Sequence, residues 1–246
     1  MTQTQNPLEH FLDWIYPPAC IACKQLLPLN EEPRYICADC KPLFVSITGA
    51  TCQKCSTPIE ADHTMCRHCQ KTFRCFTSNT AVFLYKDLVQ DLLHDIKFRG
   101  KRRTAWGLGL HWGEVIKKTS CVYEGKALVP VPMHPKKKSE RGFNQAQVMA
   151  KALSRTLGIP TENALVRKID TPPMAGLPPA LRTENVSGAF EAYQSARWKT
   201  KEFVLIDDIY TTGASLNECA KTLLDAGATS VSAMTLSVGE SNSSKD

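Results

Sequence analysis

Eight cysteines in four pairs of identical spacing constrain this chain more than any other feature. They read "CIAC" at 20–23, "CADC" at 37–40, "CQKC" at 52–55 and "CRHC" at 66–69. Two residues between cysteines let both sulfurs of a tight turn face one tetrahedral ion. Thirteen residues separate the first two pairs and ten separate the last two, and either gap suits a short hairpin. Each half therefore reads as a ribbon with four thiolate ligands: Cys20, Cys23, Cys37 and Cys40, then Cys52, Cys55, Cys66 and Cys69. Two structural Zn²⁺ ions are expected. Consecutive pairing is the first expectation, and a cross-braced arrangement is its alternative.

Other uses of paired cysteines compete with zinc. A disulfide scaffold needs an oxidising compartment. The N-terminus "MTQTQNPLEHFLDWIYPP" has neither a basic n-region nor a cleavage-site pattern. Iron–sulfur ligation fits four thiolates, but the spacing is not of the ferredoxin type. A redox CxxC normally comes singly at a strand–helix junction. His63, His68 and Cys75 stand near the pairs as bystanders, since eight cysteines already fill two sites.

Nine of the eleven cysteines fall within the first 75 residues. That asymmetry places a domain boundary near residue 76. A segment of this size with few large apolar residues is marginal alone, and metal binding supplies the missing folding free energy. The apolar stretch "LEHFLDWIYPP" is expected to cover this module, and meeting a partner is the alternative. The whole chain of 246 residues, 43% hydrophobic, leaves room for one further ordinary core. No apolar run approaches the roughly 18 to 20 residues that span a bilayer, so no membrane insertion and a cytoplasmic location are expected.

The net charge of +6 is unevenly spread: residues 1–76 are net zero, 86–155 net +9 and 156–246 net −3. A basic middle suits a phosphate-bearing partner, either a small molecule or nucleic acid. The competing reading is a solvated surface balanced by the acidic last third. Within the middle, Leu88, Leu92, Leu93 and Ile96 recur at helical steps and lead into "KFRGKRR". Lys97, Arg99, Lys101, Arg102 and Arg103 around Phe98 can hold a phosphate backbone while the ring stacks a base. Cations favoured at a helix C-terminus explain the same cluster equally well. Beyond it, "ALVPVP" reads as a buried strand, "HPKKKSERGFNQ" as a basic loop, and "FNQAQVMAKALSRTLG" as an amphipathic helix ending at Gly158. "TPPMAGLPP" at 171–179 reads as a loop over or beside a site.

"FVLIDDIYTTGAS" at 203–215 carries the chemistry. An apolar strand runs into Asp207 and Asp208. A small, hydroxyl-rich turn follows, and then a helix, a stop at Gly227 and a further strand. Unpaired amides and a positive dipole at the helix start suit a phosphate. Two carboxylates suit vicinal hydroxyls or a hydrated Mg²⁺. A ribose 5-phosphate fits that order. A strand end that merely caps the next helix accounts for one aspartate but not for both.

"VLIDDIYTTGAS" closely resembles the PRPP-binding signature of type I phosphoribosyltransferases, with Tyr210 where a small aliphatic residue is usual. Together with the CxxC pairs, "VPVPMHPKKKSERGFNQ" and "TPPMAGLPPALRTENVSGAF", it resembles the ComF/GntX family of competence-related phosphoribosyltransferase-like proteins over about residues 17–238. The resemblance implies an α/β fold: a type I phosphoribosyltransferase-like parallel sheet flanked by helices, preceded by a small Cys-rich zinc-ribbon module. Residues 1–76 would form the double ribbon and 77–246 the phosphoribosyltransferase-like domain.

The resemblance also implies roles. Asp207 and Asp208 would act at the ribose and in any catalysis, with Thr211, Thr212, Gly213 and Ser215 at the 5′-phosphate of PRPP, bound with Mg²⁺. Pro132 and Met133 would mark the pyrophosphate loop, and Lys97, Arg99, Arg141 and Arg182 would face phosphate or DNA. Met174 stands where relatives often carry Gln. The implied role is DNA uptake in natural transformation, with handling of cytoplasmic single-stranded DNA beside a helicase encoded in the same operon or another DNA-processing protein. An active phosphoribosyltransferase on an unknown acceptor and a non-catalytic PRPP sensor are the alternatives.

Overall fold

The computed structural model describes residues 17–28, 35–119, 123–172, 178–193 and 195–239. The stretch proposed to cover the zinc module lies largely outside these residues, as does Met174. Four parallel strands form the central sheet in the order β1-β6-β5-β2: β1 Asn79–Leu84, β2 Ala127–Pro130, β5 Glu202–Tyr210 and β6 Ser230–Val238. Two short strands, β3 Leu165–Arg167 and β4 Phe190–Ala192, form a separate antiparallel pair.

The sheet is buried on both faces, which is why β5 reads as the unbroken apolar run "FVLI". Alternate residues point to opposite sides. Val204, Ile206, Met234 and Leu236 join one core with α2 Asp87–Arg99, α3 Arg102–Lys117 and α5 Gln145–Leu157. Phe203, Leu205, Val231 and Ala233 join the other core with α7 Ala214–Asp225, Trp198 and the β3–β4 pair. The fully buried Leu93, Ile96 and Leu108 each contribute about 2 kcal/mol by leaving water.

The two cysteine segments pack into different cores. Ile21, Tyr35, Ile36 and Phe44 of the first share the core of α2, α3 and α5. Cys52, Cys55, Cys69 and Phe76 of the second share the core of α7. Of the last pair of cysteines, Cys66 caps the start of the short helix α1 Arg67–Lys71 and Cys69 lies within it.

One local feature differs from expectation. The basic loop is partly helical: Pro135–Arg141 forms α4, with Pro135 in its first turn and Gly142 closing it at φ 84°. Lys, Ser and Glu between a proline start and a glycine stop are compatible with one helical turn after another. "TAWGLGLHW" is the body of α3 despite its glycines. A Cβ on Gly107 would lie 2.7 Å from Ile21 Cγ2, so this glycine admits the first ribbon onto the helix. Residues 173–177 of the expected loop at 171–179 lie outside the described residues, and Pro179–Val186 forms a further helix, α6.

Candidate functional site

β5 delivers Asp207 and Asp208 to the carboxyl end of the sheet. Being consecutive in a strand, they leave it on opposite sides. Asp208 is buried and turns toward α2, where Lys97 Nζ stands 2.7 Å from its Oδ2. Asp207 faces the α7 side, within the electrostatic reach of Cys219. The two carboxyls still interact directly, and one of them is paired by a cation from the chain itself. Backbone amides add support: Asp208 N donates to Asp207 Oδ1 at 2.9 Å, and Ile209 N donates to Asp208 Oδ1 at 3.0 Å.

The pair is electrostatically asymmetric. Burial, and then the neighbouring Asp208 charge, push the Asp207 carboxyl up to about 8. Burial also acts on Asp208, but the Lys97 ammonium outweighs it and holds that carboxyl below its ordinary value. Asp208 therefore favours its ionised form and Asp207 its protonated form. Any ligand that offers hydroxyl donors or a cation to Asp207 favours its ionised form.

The turn after the strand runs through Thr211 and Thr212 to Gly213, the N-cap of α7, at φ 73°. A Cβ there would fall 2.6 Å from the Tyr210 hydroxyl, so the turn lies directly on the buried Tyr210 ring. The aromatic residue that departs from the usual signature is therefore the floor of the turn. The first amides of α7 have no partner within the helix and carry its positive dipole end.

These residues line one open cleft of about 680 Å³. Thr211, Thr212, Gly213 and Ser215 form one wall with the two aspartates. Pro132, Met133, Arg141, Arg182 and Lys97 line the rest. Arg141 is held by Gln145, whose Oε1 accepts from Nη1 at 2.6 Å. Arg99 is not among the lining residues: its side chain is exposed and paired with Asp95 Oδ1 at 3.1 Å along the helix. Phe98 lines the cleft while remaining 74% exposed, with the His94 ring 4.4 Å away.

Sequence reasoning missed two cations. Arg167 on β3 lines the same cleft, donates to Thr171 Oγ1, and lies over the Phe190 ring at 5.4 Å. A lone arginine in a three-residue strand resembles an ordinary surface residue. Arg74 lies behind the turn: its Nη2 donates to Thr212 O at 2.6 Å. Nothing in its neighbourhood of cysteines points to a partner 138 residues away.

The cysteine sulfurs gather consecutively, Cys20, Cys23, Cys37 and Cys40 in one group and Cys52, Cys55, Cys66 and Cys69 in the other. Cys23 and Cys37 sulfurs are 3.8 Å apart, as are those of Cys55 and Cys66. A tetrahedral ion with bonds of about 2.3 Å holds neighbouring sulfurs about 3.8 Å apart, whereas a disulfide needs about 2.05 Å. Backbone amides also aim at the sulfurs, Cys37 N at Cys20 Sγ and Cys69 N at Cys66 Sγ. Such donors suit thiolates. Both groups fit Zn²⁺.

Comparison with known proteins agrees with this architecture. A family model described as a double zinc ribbon domain matches residues 11–70. Competence protein ComFC of Bacillus subtilis strain 168 is 31% identical, covering 85% of this chain and 86% of that protein. Competence protein F of Haemophilus influenzae is 27% identical over 85% of this chain and 91% of its own. DNA utilization protein YhgH of Escherichia coli K12 is 28% identical over 87% and 94%.

Solved structures with partial likeness include the glutamine PRPP amidotransferase from Bacillus subtilis, at 20% identity and a TM-score of 0.35. It matches over 53% of this chain, which spans 25% of that enzyme. A hypoxanthine phosphoribosyltransferase from Staphylococcus aureus matches at 15% identity and a TM-score of 0.33, over 58% of this chain and 69% of its own. From the ComFC match over most of both sequences, with two four-cysteine sites before a parallel sheet, the chain belongs to the ComF family of competence-related proteins.

Proposed function

We propose that the cleft binds PRPP with Mg²⁺ and that the protein handles single-stranded DNA in the cytoplasm during natural transformation. One observation carries the first part: two carboxylates at a strand end and a glycine-capped, hydroxyl-rich turn at a helix start line a single cleft. In this reading the amides and hydroxyls of Thr211, Thr212, Gly213 and Ser215 take the 5′-phosphate. Asp207 and Asp208 accept from the ribose hydroxyls. Arg141, Arg182 and Arg167 face the pyrophosphate beside Pro132 and Met133. Residues 1–76 act as the zinc module and 77–246 as the ligand-binding domain.

Where an acceptor is present, its nucleophile forms a bond to the anomeric carbon and pyrophosphate leaves with the bonding electron pair. Carboxylate charge beside the ribose stabilises the oxocarbenium-like transition state. Binding without turnover makes the protein a PRPP sensor. The DNA part is supported by the relatives' names, by the basic run at 97–103, and by Phe98, whose exposed ring is available to a base.

The test is a calorimetric titration of zinc-loaded protein with PRPP, with and without Mg²⁺. Saturable, Mg²⁺-dependent heat is expected, and its absence sinks the PRPP reading. For DNA, affinity for an oligonucleotide should fall linearly in log–log form with salt, by about 0.7 per phosphate neutralised. A salt-independent or undetectable interaction removes that part. Asp207→Asn should weaken PRPP at least tenfold and spare DNA, and equal loss of both contradicts two distinct sites.

A further inference from the structure

Residues 74–76, immediately after the second ribbon, form the rear support of the turn at 211–215. The Arg74 guanidinium is buried. One nitrogen, Nη2, donates to Thr212 O at 2.6 Å and faces His68 Nε2 at 2.7 Å. Its two hydrogens serve both acceptors at once. Nη1 donates to Phe73 O at 3.2 Å. His68 stands between the ligands Cys66 and Cys69. Two further contacts run in parallel: Cys75 N donates to Asn217 Oδ1 at 2.7 Å, and the Phe76 ring meets Tyr210 edge-on with centroids 6.4 Å apart.

The Arg74 bond has a directional consequence. In a planar trans peptide, C=O and the following N–H point opposite ways. Fixing Thr212 O toward the ribbon aims the Gly213 N–H the other way, into the cleft that Gly213 lines. That N–H is one of the donors an anion at the α7 start would use.

We propose that Arg74 is a positioning residue for this anion site, and that the second zinc ribbon, through Arg74 and His68, holds the turn in its anion-binding conformation. Occupancy of the second metal site and occupancy of the phosphate subsite are then linked. By reciprocity, a ligand on the turn raises the affinity for that metal by the same factor with which the metal raises affinity for the ligand, and slower metal release is the expected kinetic sign of it. The first ribbon seats on α2 and α3 and lacks this linkage. The phosphate arm of the inference rests on the proposed PRPP reading, but the rigidity of the turn does not.

The experiment uses zinc-loaded full-length protein, wild type and Arg74→Met, with zinc content and thermal midpoint as folding checks. Deuterium uptake over 211–219 is read without ligand. It should rise several-fold in Arg74→Met and equally in Cys66→Ser, and unchanged uptake in both overturns the proposal. Release of each zinc to a colorimetric chelator is then followed with and without PRPP and Mg²⁺. PRPP should slow one of the two phases in wild type at least fivefold and neither in Arg74→Met. Equal slowing of both phases, or slowing that survives in Arg74→Met, overturns the coupling. Wild type that fails to bind PRPP refutes the PRPP reading, and the ligand-free uptake then decides the role of Arg74. Should Arg74→Met lose its metal, Asn217→Ala removes the parallel bond from the α7 side and is judged by the same uptake criterion. Arg74→Lys keeps the charge without the planar fork, so it should restore zinc retention and only part of the turn's protection.

Discussion

The two ribbons share a cysteine pattern and little else. The first packs Ile21 and Phe44 into the core beneath α2, α3 and α5. The second ends in Arg74, Cys75 and Phe76, which contact Thr212, Asn217 and Tyr210 directly. Identical metal chemistry therefore serves two mechanical purposes. One ribbon packs under a helical layer, and the other contacts the turn that starts α7. What separates them is the residue that follows the last ligand pair, not the ligands.

Stripping both metals tests what the ribbons have in common and should have the largest effect. Each four-cysteine site supplies on the order of 10 kcal/mol of folding free energy, so chelation should abolish the cooperative thermal transition. Elemental analysis should find two zinc equivalents, and a value near one contradicts the double ribbon. The single-site variants then sharpen the comparison. Cys66→Ser should weaken PRPP binding by a larger factor than Cys23→Ser, measured by calorimetry. The reverse order breaks the distinction between the ribbons.

The helical layer over the first ribbon reaches the site through Lys97. Lys97→Met leaves Asp208 buried without its cation, a change worth about 3 to 5 kcal/mol. Asp208 then titrates upward, so the variant's stability, read by urea denaturation, should fall as pH rises above the ordinary carboxylate range. A variant as stable as wild type at pH 8 removes Lys97 from this role.

His111 reports on the seat of the first ribbon alone. It is buried, stacked on Phe83 at 5.6 Å and 4.6 Å from the Phe44 ring, and burial lowers its pKa to about 4. The unfolded chain takes up a proton near the ordinary value of 6.5 and the folded chain does not. Stability should therefore fall as pH drops from about 6.5 toward 4, by up to about 3 kcal/mol. His111→Phe should flatten that part of the denaturation profile, and an unchanged slope assigns it elsewhere.

The smallest effect is on the second ribbon's side, at Asp207. With its carboxyl near 8, binding a ligand that favours the ionised form should release a proton at pH 7 and almost none at pH 9. Titrations in buffers of different ionisation enthalpy measure this, and identical apparent heats at pH 7 contradict it.

The unbroken apolar run made β5 legible, and α2, α5 and β6 were legible because their apolar residues recur with the helix or strand repeat. The CxxC spacing specified two metal sites, and the order of carboxylates, hydroxyls and glycine marked the residues that line one wall of the cleft. α3 was obscured by glycines whose purpose is close approach of another element, and α4 by its lysines. Both depend on what packs nearby or caps the ends. The pairing of Lys97 with Asp208 and of Arg74 with Thr212 was decided by tertiary structure, since each joins residues more than a hundred positions apart. Local sequence sets dihedral preference and side-chain chemistry. Only the folded sheet sets which charge faces which, and hence which aspartate meets Lys97 and which ribbon contacts the turn.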